Sequence, residues 1–401
     1  MSKDKMSPGV VAAADQVLAE YLDDPDIILF DQSAARKAQF GGVASLANAR
    51  RTPRTCMYPS CAATTIRHSH TIPRSSSIAA IANRGHVVTP AFSHPDGKMV
   101  ARLVGTQCAS AFPGFCETHE GLFFSYERTG RIMSELDISR QLFRSICREV
   151  VRFEIEGTWL EQTLRDFDEF RRVAIERLIR QRAGDESVSV SSVDAKGPRA
   201  DLFQSRLDEL REELAWFRRE FYSAAAAGVD DAEQSGLAVS AIEIDRVVPV
   251  CLSGRANFHF RTADTVVHNV RVVVTVIPTP PNTFVAIAAP KAYGHMLDAY
   301  AAIRFSNPLM IIAAIESWML HGTDHWFLGP DTWSSITPTA QQALLDDILD
   351  DTHNIGALYN KTVFNALKRD ILAKIRSSLG PAELVQLEQT IAPWTDTTDT
   401  G

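Results

Sequence analysis

From residue 138 to about residue 182, apolar side chains return every three or four positions as Leu142, Ile146, Val150, Phe153, Leu160, Leu164, Phe167, Val173 and Leu178. That interval lines them along one stripe of a helix, so one long or kinked helix is predicted. Residues 183–200 are rich in Gly, Ser and Asp and read as a loop. The helical interval resumes over 202–227 with Leu207, Leu210, Leu214, Phe217 and Phe221, set among many Glu and Arg residues. A long antiparallel helical hairpin follows, a shape used as a spacer or dimerisation arm, and it is the expected surface for homo-oligomers. Its charges read as a solvated face.

Elsewhere the period changes. Residues 12–22 have helical spacing, with Val17, Leu18 and Tyr21 on one side, until Asp23-Asp24-Pro25 stops it. Residues 75–83 read as a short serine-capped helix, and Gly85-His86-Val87-Val88 as the start of a strand. The turn His94-Pro95-Asp96-Gly97 makes 87–103 a hairpin. Between 238 and 290, β-branched runs at 242–250, 257–261, 266–277 and 284–289 predict an antiparallel sheet of about four strands. Thr279-Pro280-Pro281-Asn282 marks the last turn, and His259 and His268 alternate with apolar residues as outward-facing positions. Residues 299–320 return to helical spacing. The fold class is therefore α+β, divided into an N-terminal helical segment (1–31), a small module (32–134), the hairpin (135–235), the sheet region (236–290) and a C-terminal helical region (291–401). The Thr/Asp-rich tail from Thr395 is expected to be disordered.

Composition adds a charge asymmetry. The 401 residues carry 45% hydrophobic and 22% charged content with a net charge of −8, ordinary for a globular chain of two or three domains. Residues 32–134 hold twelve Lys/Arg against four Asp/Glu, so this stretch is basic on an otherwise acidic body. Such a footprint suits phosphate and points to DNA or RNA as partner, with uneven sampling of surface charge as the plainer alternative. Arg50, Arg51 and Arg54 precede the module's first cysteine and either meet phosphate or belong to a solvated connector. Six cysteines are too few for a disulfide framework in a chain this long, so a reducing cytoplasm is expected. No secretory signal is read at the start, and the longest late apolar run, 309–320, contains Glu316 and is too short to span a bilayer.

The sharpest chemical signal lies between residues 56 and 119. Cys56 and Cys61 form one pair and Cys116 and His119 another, together the four thiolate and imidazole donors that tetrahedral zinc prefers. Cys108 competes for the ion, but the two-residue gap between Cys116 and His119 lets both converge from a knuckle that opens a helix. Phe112, Phe115, Phe123 and Phe124 are then core for a small metal-stapled unit.

Between the pairs lies Arg67-His68-Ser69-His70-Thr71-Ile72-Pro73-Arg74. A histidine followed by Ile-Pro, after a Cys pair and before a second ligand pair, resembles the HNH (ββα-metal) nucleases on treble-clef zinc supports. The resemblance spans about 70 residues. It implies that His70 is a general base activating water against a phosphodiester, beside a divalent ion such as Mg2+. Ser69 stands where the family has an acidic metal ligand, and Glu120-Gly121-Leu122-Phe123 replaces the family's last Asn or His. Glu120 and His68 are the residues left to coordinate a hard cation, His68 provided that it shares a strand with His70. Arg54, Arg67 and Arg74 are the nucleic-acid-binding candidates. The pattern Cys-x4-Cys, Ser-His-Thr-Ile-Pro-Arg-Ser, Gly85-His86-Val87, Phe112-Pro113-Gly114-Phe115-Cys116-x2-His119 is also similar to a group of uncharacterised bacterial proteins.

Three further constellations compete. His86 reads as a third active-site imidazole or a hydrogen-bonded structural histidine. His321-Gly322-Thr323-Asp324-His325 offers two imidazoles and a carboxylate, although Gly322 reads as a helix stop and Asp324 as a cap above Trp326, Phe327 and Trp333. Asp346, Asp347, Asp350 and Asp351 are expected on one helix, as a carboxylate metal site or an acidic surface. The expected function is a metal-dependent endonuclease, by analogy in bacterial defence. The alternatives are a non-catalytic zinc module that binds nucleic acid or protein, and an interaction protein whose zinc only staples a domain.

Overall fold

In the computed structural model of the protein the long apolar repeat is a single helix, Glu135–Ala183. The structure describes residues 7–24, 49, 52–93, 96–194, 198–350, 352–359, 361–376, 380–382 and 384–385. Most of the basic stretch before Cys56, with Arg50 and Arg51, lies outside the described residues, as do His94, Pro95, Asp351 and the tail from Thr395. The long helix starts on a reciprocal cap, in which the Asp137 amide donates to Ser134 Oγ at 3.1 Å and the Asp137 carboxylate accepts from the Ser134 amide at 3.3 Å. Gly184, with φ +62°, supplies the left-handed residue that closes it. A second helix, Pro198–Phe217, continues through a π-helical turn, Arg218–Tyr222, into Ser223–Ala227. Ser139 Oγ donates to Gly228 O at 2.7 Å, and four residues further on the Phe143 ring lies 5.9 Å from that of Tyr222. The two helices therefore run antiparallel here.

The chain forms two compact units, Met1–Thr52 with Arg152–Trp216, and Pro53–Val151 with Phe217–Gly401. In the first, the helix Pro8–Asp23 buries Val10, Ala13, Val17 and Tyr21 against Ala174, Ile175, Ile179 and Val188. Ser7 caps it by accepting from the Val10 amide, with Pro8 at the first turn.

The second unit is built on antiparallel strands. In chain order they are β1 (Ser69–His70), β2 (His86–Ser93), β3 (Lys98–Gly105), β4 (Ala111–Phe112), β5 (Leu237–Ile244), β6 (Val250–Arg261), β7 (Val267–Thr279), β8 (Asn282–Pro290) and β9 (Trp326–Leu328). Seven of them form one sheet in the order β3-β2-β9-β6-β7-β8-β5, and β1 pairs with β4 alone. The expected four-strand sheet is thus enlarged by the 86–105 hairpin and by β9. Leu328 of β9 pairs with Val88 on one side and Val250 on the other, so three residues join two parts of the sequence.

Strand alternation divides the core. Val250 and Leu252, Val274 and Val276, Val285 and Ile287, and Trp326 and Leu328 face a cluster with the helices Gly294–Arg304 and Pro308–His321. Cys251, Ile277, Phe284, Ala286 and Phe327 belong to a second cluster with Ile72, Ile78, Ile81 and Ala109. The segment that carries His70 therefore packs on the sheet through every second strand residue.

Several local expectations change. The helix expected over 299–320 is two helices, because Asn307 accepts from the Leu309 and Met310 amides at 3.1 and 3.0 Å and Pro308 occupies the first turn. The segment after Pro73 is a π-helical turn, Arg74–Ile78, followed by Ala79–Ile81, and no serine side chain caps it. Phe124 is exposed, under the Arg128 guanidinium at 5.3 Å, and so is not core. The helix Pro338–Asp347 ends before Asp350, so the four aspartates do not share one helix.

Candidate metal centre

The first ligand pair sits in a tight loop. The Cys56 amide donates to Ala63 O at 2.9 Å and the Cys61 amide to Tyr58 O at 3.1 Å, with Ser60 in the left-handed region at φ +61°. The Met57 amide donates to Gly114 O at 2.9 Å, which brings this loop beside the second pair. A Cβ at Gly114 would lie 2.4 Å from the Phe112 ring, so the close approach requires glycine here. Cys116 is the residue before the helix Glu117–Glu120, and that turn presents His119.

The donor atoms of Cys56, Cys61, Cys116 and His119 all lie within 4.8 Å of one another, close enough to bind one metal ion. His119 Nδ1 is 3.3 Å from Cys116 Sγ and 3.5 Å from Cys56 Sγ. A tetrahedral ion with bonds of about 2.3 Å to sulfur and about 2.0 to 2.1 Å to nitrogen separates such atoms by about 3.6 Å. The residues therefore fit the ion that their donor chemistry implies. The Cys116 amide points at Cys56 Sγ at 3.4 Å, an outer-shell contact that favours thiolate. Burial pushes the Cys56 thiol up to about 11. At Cys116 burial acts in the same direction, but hydrogen bonds from the His119 and Thr118 amides and from the neighbouring thiols bring the net shift downward. Cys108 is exposed and outside the group.

His70 ends the short strand β1, paired with Ala111 of β4, and is only 9% exposed. Its Nδ1 lies 2.9 Å from Ala109 O, so Nδ1 carries the proton and Nε2 the lone pair. Burial lowers its pKa to about 4, helped by the charges of Arg144 and Arg74 and opposed by the bond to Ala109. The ring is neutral at pH 7.

The other candidates do not gather around it as a second metal site. His68 is exposed in the turn before β1, so it does not share a strand with His70. Ser69 Oγ accepts from the Phe115 amide at 3.1 Å. Glu120 is buried, and its Oε1 accepts from Arg144 Nη2 at 2.5 Å. Burial raises the Glu120 pKa and the guanidinium opposes that shift. Arg144 also donates to Glu127 at 2.6 Å and stacks 4.4 Å over the Phe123 ring. Among the described residues only the Cys/His group offers three or more converging ligands, so the residues do not fit the divalent ion expected beside His70. The sequence reading missed Arg144, because an arginine within a helical repeat looks like surface until its burial is seen. Arg67 and Arg74 are exposed on either side of His70, and Arg54 is half-buried.

The remaining constellations do not converge on one point either. His86 is exposed, with Nδ1 2.9 Å from Arg84 O. His325 Nδ1 lies 2.6 Å from Ser253 O, whereas His321 stacks on His353 at 5.0 Å, so these two imidazoles do not converge. Gly322 follows the helix Pro308–His321 as expected, and Asp324 precedes strand β9 instead of capping a helix. Asp347 accepts from Tyr359 Oη and Lys361 Nζ, both at 2.5 Å. Among the described residues, no helix is long and apolar enough to cross a membrane. No family model matches the sequence, and comparison with curated proteins and with solved structures finds no match.

Proposed function

We propose that the Cys/His centre holds a structural zinc ion and that the module built on it is a nucleic-acid endonuclease with His70 as general base. One observation carries this reading: the bond from His70 Nδ1 to Ala109 O leaves Nε2 as the proton acceptor on a ring flanked by exposed Arg67, His68 and Arg74. In the proposed reaction Nε2 takes a proton from water as its oxygen attacks phosphorus, the bond from phosphorus to the sugar oxygen breaks, and that oxygen takes a proton from solvent. A pKa of about 4 makes the lone pair available but weakly basic. Burial is the main cause of that low pKa; an anionic phosphate beside the ring offsets the lesser arginine contribution and so strengthens the base when substrate is bound. The arginines position phosphate and carry no sequence information. Zinc supplies the rigid support, and no step passes through a second ion.

A second reading, a zinc module that binds nucleic acid or protein without cutting, is favoured by Arg144, which pairs with Glu120 Oε1, and by Ser69, which stands where an acidic ligand is expected and accepts from the Phe115 amide. One set of measurements separates the two. Purified protein should carry one zinc per chain, lost in Cys56→Ser. His70→Ala should keep its zinc and lose nicking of DNA or RNA, assayed with magnesium, manganese or nickel. Nicking by His70→Ala equal to wild type would end the endonuclease reading, and a salt-sensitive gel shift without cleavage would select the second.

A further inference from the structure

The metal centre is not held by its own loops alone. Tyr58, inside the Cys56-x4-Cys61 loop, lies flat on the His119 ring, with centroids 3.9 Å apart and planes 10° from parallel. Its hydroxyl donates to Asp230 Oδ2 at 2.5 Å, across 172 residues of sequence. The next residue back, Met57, offers its carbonyl to Tyr222 Oη at 2.7 Å. Tyr222 ends the π-helical turn and Asp230 follows the last helical turn, so both come from the segment where the second long helix finishes. That segment is itself fixed by Ser139 Oγ to Gly228 O at 2.7 Å and Arg140 Nε to Val229 O at 3.1 Å.

From this arrangement we infer that Asp230, Tyr58 and Tyr222 form a latch that positions the zinc ligand His119, so that metal binding and the docking of residues 217–231 stabilise each other. His119 presents Nδ1 to the Cys116 and Cys56 sulfurs, so rotation of its ring plane would turn that nitrogen away from a shared ion. The Tyr58 face limits that rotation, and Asp230 limits the tyrosine. An aromatic ring held by a carboxylate thus does what an outer-shell hydrogen-bond partner does at other histidine-ligated sites. Linkage makes the effect reciprocal: whatever docking contributes to metal affinity, the metal returns to docking.

The test uses the full-length zinc-loaded protein and the rate of zinc release to a chromophoric chelator. Tyr58→Phe keeps the stacked ring and removes the hydroxyl, and Asp230→Asn keeps the shape and removes the charge. Each should speed release about tenfold, as outer-shell substitutions do. The double variant should be no faster than either single one, because both break the same bond. Amide exchange over 217–231 should rise when zinc is removed from wild type. Release unchanged in both single variants, additive effects in the double variant, or exchange over 217–231 indifferent to zinc would overturn the inference. None of these measurements depends on nuclease activity. Wild-type protein purified without zinc would overturn both the metal reading and the latch.

Discussion

His70 shows how one buried ring ties stability and chemistry to pH. Its folded-state pKa of about 4 lies below the value near 6.5 of an unfolded histidine. Between those limits the unfolded chain binds the extra proton, so acidification through this window favours unfolding. The shift corresponds to about 3 kcal/mol, fully present above pH 6.5 and lost as pH falls toward 4. Melting curves of wild type and His70→Gln at matched pH should diverge over this interval, with the wild type losing more; parallel curves would show that the ring is not held neutral. The same protonation sets the acid limb expected for any activity that uses Nε2 in the free protein.

At the scale of elements, boundaries are set by a few capping residues more than by the apolar repeat. Helical spacing runs through residues 299–320, yet Asn307 and Pro308 divide it, since the asparagine side chain satisfies two amide donors that a helix start leaves open. Asn307→Ala should therefore cost about 1 kcal/mol in thermal or denaturant unfolding. A loss indistinguishable from zero would mean that tertiary packing alone defines this end. The hairpin β2–β3 makes a related point: its turn residues are visible in the sequence, but its partner β9 is a three-residue strand too short to show a period.

For the second unit as a whole, the C-terminal segment is fastened by a buried ion pair. Glu316 is fully buried on the helix Pro308–His321, and its Oε1 accepts from Thr362 Oγ1 and from the Val363 and Phe364 amides at 2.8 to 2.9 Å. Lys368 Nζ donates to its other oxygen. Burial lowers the Lys368 pKa while the facing carboxylate holds it up. Removing one partner strands a charge in the interior, so Lys368→Met should cost about 3 to 5 kcal/mol. Adding Glu316→Gln should recover part of that loss, because the amide oxygen still accepts a hydrogen bond and the charge is gone. A double variant less stable than Lys368→Met would rule out the stranded charge as the cause.

The features that were legible in the sequence are those written in short-range spacing. The 3.6-residue stripe of the long helix, the β-branched runs of the sheet region and the Cys-x4-Cys and Cys-x2-His pairs are local, because helix and strand geometry and ligand convergence within a knuckle act over a few residues. The closure of those two pairs into one group, with all donor atoms within 4.8 Å of one another, was expected from donor chemistry that Cys108 also offers, and folding left Cys108 outside it. Partners distant in the chain leave no such period. The pairing of Glu120 with Arg144, the stacking of Tyr58 on His119 under Asp230, and the joining of the hairpin to the sheet through Leu328 were decided by packing in three dimensions. Burial turns an arginine from a surface charge into an internal counter-ion, and burial is a property of the folded chain.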